Sequence, residues 1–159
     1  MVTKKEERMQ ISEFLDKRAI EPNLKSRTKQ EVLEELTNLL ERTGKVTNRE
    51  EFLKVIRERE ELGSTGIGYN IAIPHARSSG IQSLVGAFGI SKKGIDFDAL
   101  DKEPVYLFFM LAAPQNAGGD YLKALALISR FLRRKKVRQA LMKANTVEEI
   151  EQIIKKEEM

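Results

Sequence analysis

Residues 105–113 read VYLFFMLAA, the longest apolar run in the chain, closed by Pro104 on one side and Pro114 on the other. Nine residues are too few to cross a bilayer, and their aromatic and branched side chains predict a strand over 105–111. A strand that is apolar at nearly every position has no solvent face, so it belongs in the middle of a sheet covered on both sides. Residues 84–90, LVGAFGI, repeat the pattern and predict a second central strand.

Moving outward, the flanking segments switch to helical spacing. Thr28 and Glu31 form the signature of a capping box, followed by Val32, Leu33, Leu36, Leu39 and Leu40 on one face and a stop at Gly44. Asn48 and Glu51 open a second helix with Phe52, Val55, Ile56 and Leu62 directed inward, ended by Gly63. Beyond a loop at 114–120, a helix places Leu122, Leu125, Ile128, Ser129 and Leu132 on one side, and a further helical stretch runs around 137–144. Thr146 and Glu149 cap a last helix through Ile150, Ile153 and Ile154. Helices before, between and after buried strands predict one layered α/β domain. Its boundaries are expected at 10–154, between a charged tail at 1–9 and a short tail at 155–159.

Composition narrows the chemistry. With no cysteine in 159 residues there is no disulfide frame, no thiolate zinc site and no thiol nucleophile. A single histidine excludes a metal site built on a His pair, and no cofactor is implied. The opening MVTKKEER has charge but no apolar signal core, so a cytoplasmic protein is expected. The formal net charge of +4 comes from residues 120–159, which carry ten basic and six acidic side chains. Its centre is Arg130, Arg133, Arg134, Lys135, Lys136 and Arg138. Such a run can bind nucleic acid or an anionic lipid surface, but cations also collect at the negative C-terminal pole of helices, and no aromatic ladder accompanies it.

The stretch 62–75, LGSTGIGYNIAIPH, carries the candidate chemistry. Its glycines fit neither nucleotide template. Ile71 stands where GxGxxG needs its last glycine, and the Walker-like spacing of Gly89 and Gly94 lacks the Lys-Ser/Thr pair. A short extended run, Ile71-Ala72-Ile73, stops at Pro74, which stiffens the approach to His75. A neutral imidazole can attack phosphorus without an activating base, whereas the incoming phosphoryl group needs donors and positive charge. Ser64 and Thr65 offer hydroxyls, the backbone around Gly66 offers N–H groups, and Arg59 and Arg77 offer guanidinium groups. Arg59 has a plainer reading as an exposed helix residue paired with Glu58, Glu60 or Glu61.

Arg59 to Gly68 (REELGSTGIG), followed by Ile71 to His75 (IAIPH), resembles the active-site signature of the type-2 IIA domain of the phosphoenolpyruvate:sugar phosphotransferase system, the fructose and mannitol class. The resemblance continues through Phe97 to Asp101, Pro104-Val105 and Tyr121 to Leu125, covering roughly 11–154, and is strongest to nitrogen-regulatory IIA proteins. It implies a mixed β-sheet flanked by helices. It implies that His75 accepts a phosphoryl group, on Nε2, from HPr or its nitrogen-branch paralogue, with Arg59 near the phosphohistidine and Ser64 and Thr65 as the hydroxyl pair of the loop. A IIB domain or a regulatory target is then the downstream partner. Two positions depart from the family pattern. Tyr121 stands where a second histidine usually helps hold the phosphoryl group, and a phenol donates a hydrogen bond but cannot become a cation. Asn70 stands where glycine is common, and asparagine tolerates left-handed backbone.

Two other functions compete. A hydrolase with His75 as general base for Ser64 or water lacks a GxSxG elbow or nucleophile-base spacing. A nucleic-acid-binding or purely protein-interaction module would use the basic helix at 130–138. Within the phosphocarrier reading, the absence of fused IIB or membrane segments, together with Tyr121, favours regulation over sugar transport. The apolar Ile67, Tyr69 and Ile71 are the expected HPr contacts.

Overall fold

The computed structural model describes residues 8–158. A 3-10 turn at Ile11–Glu13 leads into β1 (Leu15–Glu21), α1 (Lys29–Glu41) and α2 (Arg49–Glu61). Three short strands follow, β2 (Gly66–Gly68), β3 (Ile71–Ala72) and β4 (His75–Ser78), then two long ones, β5 (Val85–Ile95) and β6 (Val105–Pro114). The helices α3 (Gly119–Arg133), α4 (Lys135–Lys143) and α5 (Val147–Glu157) complete the chain.

The sheet is mixed, in the order β1-β5-β6-β3-β2, with β4 continuing the β3 edge alongside β6. β5 and β6 are antiparallel at its centre, β1 is parallel to β5, and β3 and β4 are parallel to β6. Alternation explains why VYLFFMLAA contains no polar residue. Leu107, Phe109, Leu111 and Ala113 enter one core with α3, α4 and α5, while Phe108, Met110 and Ala112 enter the other with α1 and α2. Phe108 is completely buried and Phe109 is 1% exposed, so truncating either to alanine costs about 3–5 kcal/mol.

The helix starts follow their caps. Thr28 Oγ1 accepts the Glu31 N–H at 3.2 Å, Asn48 Oδ1 accepts the Glu51 N–H at 3.1 Å, and Thr146 Oγ1 accepts the Glu149 N–H at 3.1 Å. Each cap is worth about 1 kcal/mol. Two leucines expected to face inward do not. Leu62 is 86% exposed because it is the C-cap of α2, already turned out of the helical face. Leu122 is 63% exposed, and the face of α3 toward the sheet is instead Tyr121, Ala124, Ile128, Phe131 and Leu132.

The structure adds an edge strand, β1, whose sequence LDKRAIE alternates too irregularly to announce itself. At the other end α5 runs past 154 to Glu157, which is buried, so residues 155–157 are helical rather than a tail. Of the N-terminal tail expected at 1–9, residues 1–7 lie outside the described residues. No helix among the described residues is long and apolar enough to cross a membrane.

The basic run is largely absorbed by helix ends. Arg134 and Lys136 pair with Glu157 at 3.7 and 3.4 Å, and the Arg138 guanidinium donates to the carbonyls of Leu132 and Arg133 at the C-terminus of α3. Cations are stabilised there by unpaired carbonyls and the helix dipole.

Candidate functional site

Pro74 ends the β3 segment and starts β4, which lies against β6 with His75 opposite Leu111; the Leu111 N–H donates to the Pro74 carbonyl at 2.9 Å. His75 is therefore held at a strand end, half-buried. Its Nδ1 lies 2.7 Å from the carbonyl oxygen of Ile73. A carbonyl only accepts, so Nδ1 carries the proton and the lone pair of the neutral ring sits on Nε2. Burial foremost holds the His75 pKa below its ordinary 6.5. The Ile73 hydrogen bond and Glu60 act in the opposite direction, and the charge of Arg59 acts with burial.

Arg59 leaves the last turn of α2, and its Nη1 donates to the carbonyl of Gly63 at 2.9 Å, which wraps the guanidinium round the end of its own helix. Among the described residues no carboxylate lies within ion-pair distance of it, so the pairing with Glu58, Glu60 or Glu61 does not form. The guanidinium charge thus has no carboxylate partner among the described residues, and it acts on the half-buried His75.

The hydroxyls of the loop are engaged in shaping it. Ser64 Oγ donates to the Phe97 carbonyl and accepts the Gly66 N–H, both at 3.0 Å. Thr65, 3% exposed, donates its hydroxyl to the Glu60 carboxylate, which also accepts the Thr65 N–H at 3.2 Å. Gly66 has no room for a side chain: a Cβ there would sit 2.8 Å from Cβ of Ala99. The loop then returns through β2 and a tight turn at Tyr69 and Asn70, both with φ near +60° (58° and 61°). That is the primed turn that joins twisted antiparallel strands, and asparagine suits it.

Tyr121 comes from the first turn of α3. Its ring centroid is 6.3 Å from that of His75, and the guanidinium carbon of Arg77 lies 5.3 Å from the tyrosine ring centroid. Arg77 also donates to the Ala117 carbonyl at 3.2 Å. Burial pushes the phenol above its ordinary 10, so Tyr121 stays protonated and neutral.

Of the residues expected at the site, His75, Arg59 and Tyr121 share one electrostatic neighbourhood. Ser64, Thr65 and Gly66 form the adjoining loop, tied to the histidine segment where the Ile73 N–H donates to the Thr65 carbonyl at 3.0 Å. Ile71 is fully buried and is no docking contact. Among the described residues the large exposed apolar side chains are Leu62, Tyr69, Leu100 and Leu122. The sequence reading missed the contacts of Glu60 with Thr65 and with Lys29, and that of the Ile73 carbonyl with His75. Only Glu60 carried a signal, as the neighbour of Arg59.

The chain is similar to known proteins over most of its length. A nitrogen regulatory protein of Bradyrhizobium diazoefficiens is 37% identical over 92% of this chain and 95% of its own length. The PTS system fructose-specific EIIABC component of Bacillus subtilis is 39% identical over 92% of this chain, which spans only 23% of that longer protein. The crystal structure of nitrogen regulatory protein IIA-Ntr from Neisseria meningitidis superposes with a TM-score of 0.83 at 35% identity, covering 91% of this chain and 98% of the other. The family profile described as phosphoenolpyruvate-dependent sugar phosphotransferase system, EIIA 2, matches residues 13–157, and the chain belongs to that family.

Proposed function

We propose that His75 is the phosphoryl acceptor of this phosphotransferase component. Nε2 attacks the phosphorus of a phosphohistidine on a small donor protein, HPr or its nitrogen-branch paralogue. A new N–P bond forms as the donor's N–P bond breaks, and the donor leaves with its imidazole restored. The observation that carries this reading is the 2.7 Å bond from Nδ1–H to Ile73, which leaves Nε2 as the one nucleophilic nitrogen. Because burial lowers its pKa, the ring is neutral and reactive at pH 7. As the phosphoryl group arrives the imidazole gains positive character, which strengthens the Nδ1–H bond to Ile73. The Arg59 guanidinium and the Tyr121 hydroxyl supply charge and a donor to the phosphoryl oxygens, and Ser64, Thr65 and Gly66 form the phosphoryl-binding loop tied to the histidine segment through Thr65 and Ile73.

The same step serves sugar transport through a IIB domain or regulation through a target protein. Similarity divides between the two, at 39% to a fructose-specific component and 37% to a nitrogen regulatory protein. Tyr121 favours regulation, because a neutral phenol in place of a second imidazole is a weaker partner for onward transfer. Incubation with phosphoenolpyruvate, Enzyme I and HPr should give acid-labile phosphate on the wild-type chain and none on His75→Ala. Labelling that survives the substitution sinks the assignment.

A further inference from the structure

Behind the histidine lies a buried ion pair that no step of the transfer uses directly. Lys29, the first residue of α1, places Nζ 3.1 Å from Oε1 of Glu60 on α2, with side chains 15% and 2% exposed. The ammonium also lies 4.7 Å from the ring centroid of Phe97. Taking two charges out of water is expensive, and apolar residues of similar volume would join α1 to α2 at least as well. Stability alone does not account for the pair.

Its connections do. Glu60 accepts both the N–H and the hydroxyl of Thr65. The Thr65 carbonyl accepts the Ile73 N–H at 3.0 Å, and the Ile73 carbonyl accepts Nδ1–H of His75 at 2.7 Å. Every link from the Lys29 ammonium to the imidazole is thus an ion pair, a hydrogen bond or the peptide between them. The links fix which ring nitrogen holds the proton and where the ring points. Charge matters as well. The groups facing His75 are Arg59 and Glu60 from α2, and Tyr121 from α3 with Arg77 of β4 over its ring. Of these only Glu60 is anionic, and an uncompensated carboxylate would repel a phosphoryl dianion.

Taking His75 as the acceptor, as above, we propose that Lys29 and Glu60 form a positioning pair for the phosphoryl site. Glu60 holds the Thr65 segment and, through the Thr65–Ile73 backbone bond, the imidazole; Lys29 cancels the charge that Glu60 would otherwise set against the phosphoryl group. Neither residue touches the transferred group.

The test uses Glu60→Gln and Lys29→Met in the full chain. The His75 tautomer and titration are read by 15N NMR on the unphosphorylated protein, and initial phosphorylation by phospho-HPr is read separately. Glu60→Gln removes an anion, so His75 should titrate at lower pH than in the wild type, with a measurable fraction of the Nε2–H tautomer. Lys29→Met exposes that anion, so His75 should titrate at higher pH. Both should slow phosphorylation, on the order of tenfold to a hundredfold for a displaced nucleophile. Titration shifts in the same direction, or unchanged tautomer and rate in folded variants, overturn the proposal. Should either single variant fail to fold, the neutral pair Lys29→Met with Glu60→Leu removes the buried charges together. It is expected to fold and still to phosphorylate slowly, and a wild-type rate in it overturns the proposal too. If wild-type His75 takes no phosphate, the acceptor reading fails while the tautomer and titration still report on positioning.

Discussion

The Nδ1–H of His75 donates to the carbonyl of Ile73, two residues earlier, at 2.7 Å. A bond this local is set by the backbone on either side of Pro74, and it makes the two ring nitrogens chemically different before any partner arrives.

Phosphorylation should therefore be confined to Nε2. In 15N-labelled protein the phosphohistidine should show one-bond 31P coupling on Nε2, with Nδ1 still protonated. Coupling on Nδ1 would mean that the Ile73 bond breaks during transfer and that the ring turns over.

The pH profile follows from burial. The folded pKa of His75 lies below its unfolded value of about 6.5. Above that value the ring is neutral in both states, and phosphorylation should be insensitive to its titration. As pH falls below 6.5 the unfolded chain takes up this proton first, so stability declines through the window down to the folded pKa. The acid limb of the phosphorylation rate should accordingly lie below pH 6.5. A limb centred above it would contradict the buried, neutral histidine.

Arg59→Gln tests the charge beside the ring. It should raise the His75 pKa, since Arg59 acts to lower it. It should also slow phosphorylation on the order of a hundredfold, the usual scale for removing a donor to developing charge. A raised pKa with an unchanged rate would confine Arg59 to its helix-end bond with Gly63.

Sequence and structure agree where one interaction dominates. VYLFFMLAA could only be a strand buried on both faces, and the three capped helices start at Thr28, Asn48 and Thr146 as their side chains require. The sequence was silent where tertiary context decides. β1 mixes Asp16, Lys17 and Arg18 into an edge strand, where one side needs no partner. Leu62 and Leu122 fit a helical spacing but fall just outside the buried arc. At the site, LGSTGIG and IPH marked the loop and the histidine, yet which hydroxyl bonds to which neighbour was not legible. Lys29 lies 31 residues before Glu60, and no local pattern joins them.

Substitutions at Tyr121 test whether its hydroxyl holds the phosphoryl group in the proposed function. Tyr121→Phe keeps the packing against Arg77 but removes the hydroxyl, so the phosphohistidine should form and hydrolyse faster than in the wild type. Tyr121→His restores an imidazole and should speed transfer to a IIB acceptor. Equal lifetimes in all three proteins would show that the hydroxyl does not reach the phosphoryl oxygens.

Docking of the donor should use leucines rather than the hairpin turn. Leu62 ends α2 just before the loop, Leu100 donates its N–H to the Gly66 carbonyl at 3.0 Å, and Leu122 follows Tyr121. They are 86%, 73% and 63% exposed, large apolar side chains in water beside the segments that build the site. Serine at all three should change stability by no more than about 0.5 kcal/mol per position, because little buried area is lost. If each contributes about 1 kcal/mol to the encounter, the donor concentration for half-maximal rate should rise by about a hundredfold, with the maximal rate retained. Tyr69→Ala provides the contrast, since Tyr69 is 54% exposed at the turn and lies under Arg138, 5.0 Å from ring centroid to guanidinium carbon. Slower phosphorylation in that variant, with the leucine variant unaffected, would move the donor's footprint from the leucines to the hairpin.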